Sequence, residues 1–200
     1  LREAHSTKTI KLTSAQALGL QYYDDLHTRI PQNEIDILGK QLTKIILKVD
    51  SRFEVIMAGS YRRYLELSQS ERNKKTSGDI DILLIHPELE TIEDVKDSLL
   101  LKLIYKKLSK MKEHCGKLAL GSTKYSGLIR LADNPVRHLD IRLFPVHSKI
   151  PAILHFTGST RTITLKGDIT INQMPSSNRT ISLNLDNFIR ANTKPRTEPP

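Results

Sequence analysis

The most informative stretch of this chain is Gly78-Asp79-Ile80-Asp81-Ile82-Leu83-Leu84-Ile85. It is apolar enough to form a buried strand, yet it carries two carboxylates one residue apart. Because side chains alternate between the two faces of a strand, Asp79 and Asp81 point to one side and the neighbouring isoleucines point into a core. At about 4 Å and an effective dielectric constant of about 20, repulsion between two such charges costs about 4 kcal/mol. A bound cation removes this cost, and paired carboxylates suit Mg²⁺ or Mn²⁺; the alternative is an acidic pair at a strand end that faces solvent.

The composition limits the size of the fold and the kind of partner. The 200 residues, 38% of them hydrophobic, are enough for one domain or for one domain with a small lobe. Lysine and arginine number 31 against 22 acidic residues, and the net charge of +9 favours a nucleic acid partner first and an anionic membrane second. The alternative is a basic protein with no such partner. No apolar run approaches the length of a membrane span, so we expect no membrane partner.

Cysteine usage bears on the compartment. Cys115 is the one cysteine of the sequence, so an internal disulfide is excluded. This fits a reducing, intracellular compartment and does not require an oxidising one. The thiol itself is expected to be inert and partly buried.

Two helices are predicted before the acidic strand. Thr13 begins the first, with Gln16 as the second half of a capping box, and the spacing of apolar residues extends it to about His27. Ile30-Pro31 ends it, because proline cannot continue a helix and biases the preceding residue to extended geometry. The second helix is predicted from about Gln32 to Val49.

A turn typical of phosphate binding also precedes the acidic strand. Phe53–Ala58 is predicted as a strand that stops at Gly59-Ser60, and a helix is predicted to start in the following Tyr61-Arg62-Arg63. Glycine lets the backbone approach an anion, a helix N-terminus offers free N–H groups, and the arginines add charge-assisted hydrogen bonds. Gly-Ser alone is a weak signal, and the alternative is an ordinary turn.

The connection from this turn to the acidic strand is predicted to be a mobile surface loop. Residues Leu65–Ser77 have almost no apolar content after Leu67. The basic residues of the loop could contact a nucleic acid backbone, or could be a solvated charge run.

A long helix is predicted after the acidic strand. Thr91 caps it, Asp94 is at the third position, and apolar residues from Ile92 to Leu108 form its buried face. Lysines occupy its outer face, where they could meet nucleic acid or only solvent.

A predicted β-hairpin supplies a third carboxylate. Its strands are Ser122–Leu131 and Arg137–Phe144, joined by a turn that contains Asp-Asn-Pro. On the second strand Asp140 lies between two core-facing apolar residues, which is costly for a carboxylate without a partner. A metal ion shared with Asp79 and Asp81 would be such a partner.

Signals are weaker after Pro145. Gly158 permits a tight turn or the close approach of a ligand. Alternating apolar residues between Arg161 and Ile171 suggest strands, Leu183–Asn192 is predicted as a short helix, and Thr193–Pro200 is predicted as a loose tail.

Three aspartates and an anion-binding turn together indicate two-metal phosphoryl transfer, in which the protein supplies position and charge but no covalent nucleophile. The same motifs in the same order resemble those of a family X DNA polymerase of the polymerase beta kind. The matching segments are Gly59–Arg63, Ser77–Leu84, His138–Leu143 and Phe156–Ser159, preceded by Gly19–Tyr23 and Arg29–Pro31. The likeness covers roughly Thr13 to Ser159.

The resemblance implies an α+β fold, namely a nucleotidyltransferase palm with a mixed β-sheet flanked by helices and a small C-terminal lobe. It divides the chain into the end of a helical DNA-binding region (1–30), the catalytic palm (31–149) and a shortened nucleotide-selecting lobe (150–200). Compared with the family, Ser68–Lys75 is an insertion. The family's lyase domain and most of its helix-hairpin-helix region are missing before Leu1, so we expect no lyase activity and weak DNA affinity.

By the same resemblance, the three aspartates hold two Mg²⁺ ions, for which Mn²⁺ could substitute. Asp79 and Asp81 bind both ions, and Asp140 binds the catalytic ion and activates the primer 3′-hydroxyl. Ser60 and Arg63 contact the β- and γ-phosphates of the incoming nucleotide.

The remaining implied contacts are to the nucleotide and to DNA. Gly59 and Gly78 allow the phosphates to approach the backbone. The turn that abuts the incoming sugar and rejects a ribose 2′-hydroxyl comprises Phe156, Thr157 and Gly158. The implied DNA contacts near the primer terminus are His138, where relatives often have arginine, and Arg142.

The sequence thus predicts a DNA-directed DNA polymerase that adds dNMP from dNTP to a primer 3′-hydroxyl, with short-gap filling in base-excision repair as its expected role. The expected partners are dNTP and gapped or primer–template DNA. We expect a monomer in the nucleus or the mitochondrion. Two alternatives remain, a template-independent nucleotidyltransferase that acts on RNA or a small acceptor, and a non-catalytic nucleic-acid-binding palm.

Overall fold

The computed structural model describes residues 11–158, 164–165 and 169–170. The chain divides into two units, residues 1–158 and 159–200. The domain bounds predicted at residues 30/31 and 149/150 stay predictions.

The first unit alternates helices and strands along the chain. Its helices are α1 (Ser14–Gln21), α2 (Tyr23–His27), α3 (Gln32–Leu47), α4 (Gly59–Arg63), α5 (Gln69–Arg72), α6 (Ile92–Asp97), α7 (Leu100–Leu108) and α8 (Lys149–Thr157), with a 3₁₀ turn at Val146–Ser148. Its strands are β1 (Ile30–Pro31), β2 (Glu54–Met57), β3 (Thr76–Ser77), β4 (Ile80–Ile85), β5 (His114–Leu120), β6 (Lys124–Ile129) and β7 (Arg137–Phe144).

A five-stranded mixed sheet is the centre of this unit. Its strand order is β2-β4-β7-β6-β5, and β1 pairs separately with β3. Strands β4 and β7 run parallel, whereas the other neighbouring pairs of the sheet are antiparallel. The predicted α+β class with a mixed sheet flanked by helices is therefore confirmed.

The main core lies on one face of the sheet. The apolar residues of β4 that point to this face, Ile80, Ile82 and Leu84, are 1% exposed or less. Helix α3 covers them because its apolar residues recur at helical spacing, and α7 adds a second apolar face. The buried apolar side chains of these two helices are Ile35, Leu38, Leu42, Ile46, Leu101, Ile104 and Leu108. The predicted inward orientation of the β4 isoleucines is thus observed.

The opposite face of the sheet is divided between a small apolar cluster and the acids. The cluster comprises Ile56, Ala58, Leu83, Ile85 and Ala152, with α8 packed over it. Asp81 is on the same face of β4 as Leu83, because side chains alternate along a strand. The acids therefore lie beside an apolar cluster, on the sheet face that α3 and α7 leave uncovered.

A buried ion pair ties α3 to the start of β7. Arg137 donates to both carboxylate oxygens of Glu34, each at 2.8 Å, and to the Thr28 carbonyl oxygen at 3.0 Å. The side chains of Arg137 and Glu34 are only 3% and 4% exposed. This fork-shaped pairing satisfies both charges without water.

Two predicted helices are each broken in two. The capping boxes at Thr13 and Thr91 are both present, as predicted. Tyr22, however, separates α1 from α2, and Ser98 is extended with a ψ of 145° between α6 and α7. The Ser98 hydroxyl donates to the Val95 carbonyl oxygen at 3.1 Å, and such side-chain bonds compete with helix continuation.

The prediction of a mobile loop at Leu65–Ser77 is wrong for most of its length. Ser68 caps α5 through a capping box with Glu71, and β3 then pairs with β1. Arg29 donates to the Thr76 carbonyl oxygen at 2.7 Å. Polar contacts hold this segment, so its low apolar content was a poor guide to its order.

Helix α8 was not predicted from the sequence. Pro151 is tolerated in its first turn because the amide it replaces has no acceptor within the helix. Gly158 follows the helix with a φ of +57°, a conformation that glycine adopts without strain.

Within the second unit, the structure describes β8 (Thr164–Leu165) and β9 (Ile169–Thr170), which pair antiparallel. Strands were predicted in this region. The predicted helix at Leu183–Asn192 and the predicted loose tail at Thr193–Pro200 lie outside the described residues. Among the helices that the structure describes, none has both the length and the apolar character needed to cross a membrane.

Candidate active site

The second and third predicted acids lie side by side on parallel strands. In the register of β4 and β7, Asp81 is paired directly with Asp140. Paired residues on neighbouring strands point to the same face of the sheet, so the two carboxylates share one surface. Asp79, partly buried, lies just before the first residue of β4.

The environment of Asp81 strongly shifts the pKa of its carboxyl group. Burial, together with the smaller effects of the Asp79 and Asp140 charges, raises its pKa to about 7. Its carboxylate lies against Gly59, where an added Cβ would be 2.3 Å from Asp81 Oδ2. The Asp81 carbonyl oxygen also accepts a hydrogen bond of 2.9 Å from the Ala58 amide. The acid and the predicted phosphate turn are thus in direct contact.

Asp140 is partly neutralised by its neighbours. Lys124 Nζ lies 2.7 Å from Oδ2, and His138 Nε2 lies 3.5 Å from Oδ1. Burial pushes the pKa of Asp140 upward, but Lys124, Ser126 and His138 outweigh it, so the pKa is below its usual value. Within the described part of the chain, Oδ1 is buried and has no hydrogen-bond partner. A buried carboxylate oxygen in this state suits a cation.

The three acids fit a divalent cation by their chemistry, but they do not form a closed cage. Across the described residues, no three His, Cys, Asp or Glu side chains converge tightly enough to constitute a preformed metal site. Asp81 and Asp140 nevertheless share one surface, and Asp79 lies close enough to raise the pKa of Asp81. Carboxylate oxygens suit Mg²⁺ or Mn²⁺, which keep several water or substrate ligands.

The predicted phosphate turn begins α4. Gly59 has a φ of +63°, which glycine adopts readily, and Ser60 follows it, partly buried. Arg63 Nη1 donates to the Thr157 carbonyl oxygen at 2.5 Å and to the Gly158 carbonyl oxygen at 3.3 Å. The structure therefore joins the residues predicted to bind phosphate to those predicted to contact the sugar.

The predicted sugar-contacting turn is mostly helical. Phe156 and Thr157 belong to the last turn of α8, and Gly158 alone lies beyond it. The Phe156 ring is 5.6 Å from the Phe144 ring, and the Arg142 guanidinium lies over Phe156 at 4.7 Å from its centre. The prediction that all three residues form a turn was wrong, because Phe156 and Thr157 are helical.

The other predicted contacts lie around the same surface. Gly78 is exposed, and a Cβ there would be 3.2 Å from Arg29 Nη1. His138 shares a hydrogen bond of 2.9 Å with the Ser126 hydroxyl. Arg142 Nη2 is 4.0 Å from Asp140 Oδ2, so both predicted DNA contacts lie within reach of the acids.

Two residues of this surface were missed from the sequence. In the register of β6 and β7, Ser126 is paired with Asp140 and Lys124 is paired with Arg142. Their spacing of two within a predicted strand places both side chains on one face. Once the hairpin register is known, they belong to the face of the acids.

Comparison of the sequence with known proteins gives a family match. The family model for the DNA polymerase beta palm matches residues 29–146, more than half of the chain. The chain belongs to the DNA polymerase beta palm family. This confirms the family X resemblance, and the matched region contains the parallel strands that carry Asp81 and Asp140.

Two curated relatives extend the comparison. The chain is 38% identical over 77 residues to DNA polymerase lambda of Arabidopsis thaliana, covering 38% of this chain and 13% of the relative. It is 30% identical over 155 residues to DNA polymerase lambda of Rattus norvegicus, covering 74% of this chain and 25% of the relative. The chain thus spans a quarter or less of the length of these relatives.

Proposed function

We propose that this chain is the catalytic palm of a DNA-directed DNA polymerase, which adds dNMP from dNTP to a primer 3′-hydroxyl. The carrying observation is the direct pairing of Asp81 with Asp140, where one buried Asp140 oxygen has no hydrogen-bond partner among the described residues. A buried carboxylate oxygen without a hydrogen bond is costly, and a bound cation offsets that cost. The similarity to proteins named DNA polymerase lambda supports the same activity.

Metal binding would fall to the three aspartates. Two divalent ions, Mg²⁺ or Mn²⁺, would lower the pKa of the primer hydroxyl and neutralise the triphosphate when bound. Asp81 would give up its proton to bind, because burial holds its pKa near 7 in the metal-free chain. The Asp140 carboxylate would exchange its contact with Lys124 Nζ, which lies 2.7 Å away, for a contact with the metal ion.

The nucleotide phosphates would lie at the start of α4. The Ser60 hydroxyl would donate to a phosphate oxygen, and Gly59 and Gly78 would allow the phosphates to approach the backbone. Arg63 would exchange its bonds to the carbonyl oxygens of Thr157 and Gly158 for bonds to a phosphate. Nucleotide binding would therefore remove two hydrogen bonds at the end of α8.

The sugar and the DNA would lie on the remaining parts of this face. The end of α8, from Phe156 to Gly158, would contact the incoming sugar. His138 and Arg142 would contact the primer strand, since both side chains are about one-third exposed beside Asp140. We further propose a monomeric enzyme of the nucleus or mitochondrion that fills short gaps in base-excision repair.

Extension of a one-nucleotide-gapped DNA by the 200-residue chain tests this proposal. With each dNTP supplied singly, the nucleotide complementary to the template should be added, and EDTA should stop the reaction until Mg²⁺ or Mn²⁺ is restored. Asp140→Asn should lower the extension rate at least about a hundredfold. The matched control is Asp133→Asn, an exposed aspartate of the hairpin turn that should leave the rate unchanged.

The outcomes separate the alternatives. Addition that ignores the templating base would indicate a template-independent nucleotidyltransferase. Salt-sensitive DNA binding without metal-dependent turnover would indicate a non-catalytic palm. Undiminished extension by Asp140→Asn would contradict the assignment of the acids.

A further inference from the structure

Three polar side chains from three separate segments meet beside the proposed phosphate site. Tyr61 of α4 donates its hydroxyl hydrogen to Asp36 Oδ1 of α3 at 2.5 Å. Arg72 of α5 donates from Nη2 to the same Asp36 oxygen at 2.6 Å and to the Tyr61 hydroxyl oxygen at 2.8 Å. We call Asp36, Tyr61 and Arg72 the polar brace.

The brace is partly shielded from water. The side chains of Arg72 and Asp36 are 15% and 27% exposed, so their attraction is screened less than that of a surface pair. The Arg72 guanidinium also lies over the Tyr61 ring, 5.1 Å from its centre. Burial and the neighbouring Asp36 raise the pKa of Tyr61, which keeps its hydroxyl group a hydrogen-bond donor.

The brace connects α4 and the segment that contains Arg72 to helix α3. Tyr61 follows Ser60 and precedes Arg63, so fixing its ring limits the movement of α4. Arg72 belongs to the segment that continues through β3 to Asp79. Asp36 lies on α3 next to Ile35, which is fully buried in the main core. The proposed phosphate turn is thus tied to one core helix, and the segment that leads to Asp79 is tied to the same helix at Arg72.

We propose that Arg72 is a positioning residue for the nucleotide, holding Tyr61 and with it Gly59–Arg63 in place against α3. This inference rests on the proposed function, because it is through α4 that the nucleotide phosphates would be bound. It assigns a role to the Ser68–Lys75 segment, which the polymerase mechanism does not otherwise use. In this role Arg72 would act through Tyr61 and would not itself contact the nucleotide or a metal ion.

Amide hydrogen exchange of the 200-residue chain tests the brace without any activity. Arg72→Ala should raise exchange roughly tenfold at the hydrogen-bonded amides of Arg62, Tyr64 and Leu65, because local opening of α4 no longer breaks the brace. Lys74→Ala, which removes an exposed charge from the same segment, is the matched control and should leave this exchange unchanged. Unchanged exchange in Arg72→Ala, or an equal rise in Lys74→Ala, would overturn the inference.

Steady-state kinetics on gapped DNA test the positioning role. Arg72→Ala should raise the KM for dNTP roughly five- to tenfold with kcat changed less than about twofold, because the residue acts on nucleotide placement through α4. Arg72→Lys should recover part of the loss, since it restores charge without the two-partner geometry. Equal KM values for wild type and Arg72→Ala, or a fall in kcat alone, would overturn the role.

The two experiments distinguish failure of the proposed function from failure of the inference about Arg72. If the wild-type chain extends no primer under any metal condition, the proposed function fails, and the exchange result still decides whether Arg72 holds α4. If the wild type extends primers while Arg72→Ala behaves like wild type, the inference about Arg72 fails alone.

Discussion

Strand β7 carries two charged side chains within four residues, Arg137 and Asp140, and their hydrogen bonding differs. At its start, Arg137 makes two bonds of 2.8 Å to Glu34 and one of 3.0 Å to the Thr28 carbonyl oxygen. Further along, Asp140 has Lys124 at one oxygen, while its other, buried oxygen has no hydrogen bond among the described residues and only His138 Nε2 at 3.5 Å. Buried polar groups are normally satisfied, so the first arrangement is structural and the second is suited to a ligand.

The largest expected effect is on the satisfied pair. Glu34→Ala leaves the Arg137 guanidinium buried without its partner, so the free energy of unfolding should fall by about 3–5 kcal/mol. Urea denaturation measures this, with exposed Glu66→Ala as the control expected to change little. A loss no larger than that of the control would erase the proposed difference between the two arrangements.

Asp81, which is paired with Asp140, should respond in the opposite direction to Glu34, because removing its charge should raise the free energy of unfolding. Burial, Asp79 and Asp140 raise the pKa of Asp81 to about 7, so the folded chain binds this proton more tightly than the unfolded chain. Stability from this group is present at low pH and is lost as the pH rises towards about 7. In EDTA at about pH 8, Asp81→Asn should therefore stabilise the chain by about 1–2 kcal/mol. Destabilisation by Asp81→Asn, measured by the same denaturation, would place Asp81 with the structural charges.

A smaller effect is expected at a third, well-bonded carboxylate. Asp50 accepts hydrogen bonds from the Arg52 side chain and backbone and from buried His86, and these bonds lower its pKa. Its stabilising contribution is present above its ordinary pKa of 3.8 and is lost as the pH falls below that value. The difference in melting temperature between wild type and Asp50→Asn should therefore shrink on acidification. A difference that grows instead would reverse the sign of this account.

Local signals predicted much of the fold. The capping boxes at Thr13 and Thr91 lie within four residues each, and α3 follows directly from Pro31 and its apolar spacing. That Asp81 and Asp140 would come together was also predicted, because both acids interrupt apolar strands. Their direct pairing on neighbouring parallel strands was not predicted. The features that were predicted depend on near neighbours or on a two-residue period.

The features that were missed depend on distant partners or irregular backbone. Strand β5 was missed because register shifts between His114 and Gly116 and between Lys117 and Ala119 break the two-residue period. Arg72 bonds to Asp36 across 36 positions, which composition cannot reveal in a polar segment. The partnership of Glu34 with Arg137 spans 103 positions. Helix α8 was concealed by Pro151 and Gly158.

Direct titration of Mn²⁺ into the 200-residue chain, without DNA or nucleotide, tests the central claim that Asp81 and Asp140 share a cation. The account predicts that the wild type binds Mn²⁺ and that Asp81→Asn and Asp140→Asn each weaken the affinity at least about tenfold. Asp133→Asn should bind as the wild type does. Wild-type affinity in Asp140→Asn would contradict the account.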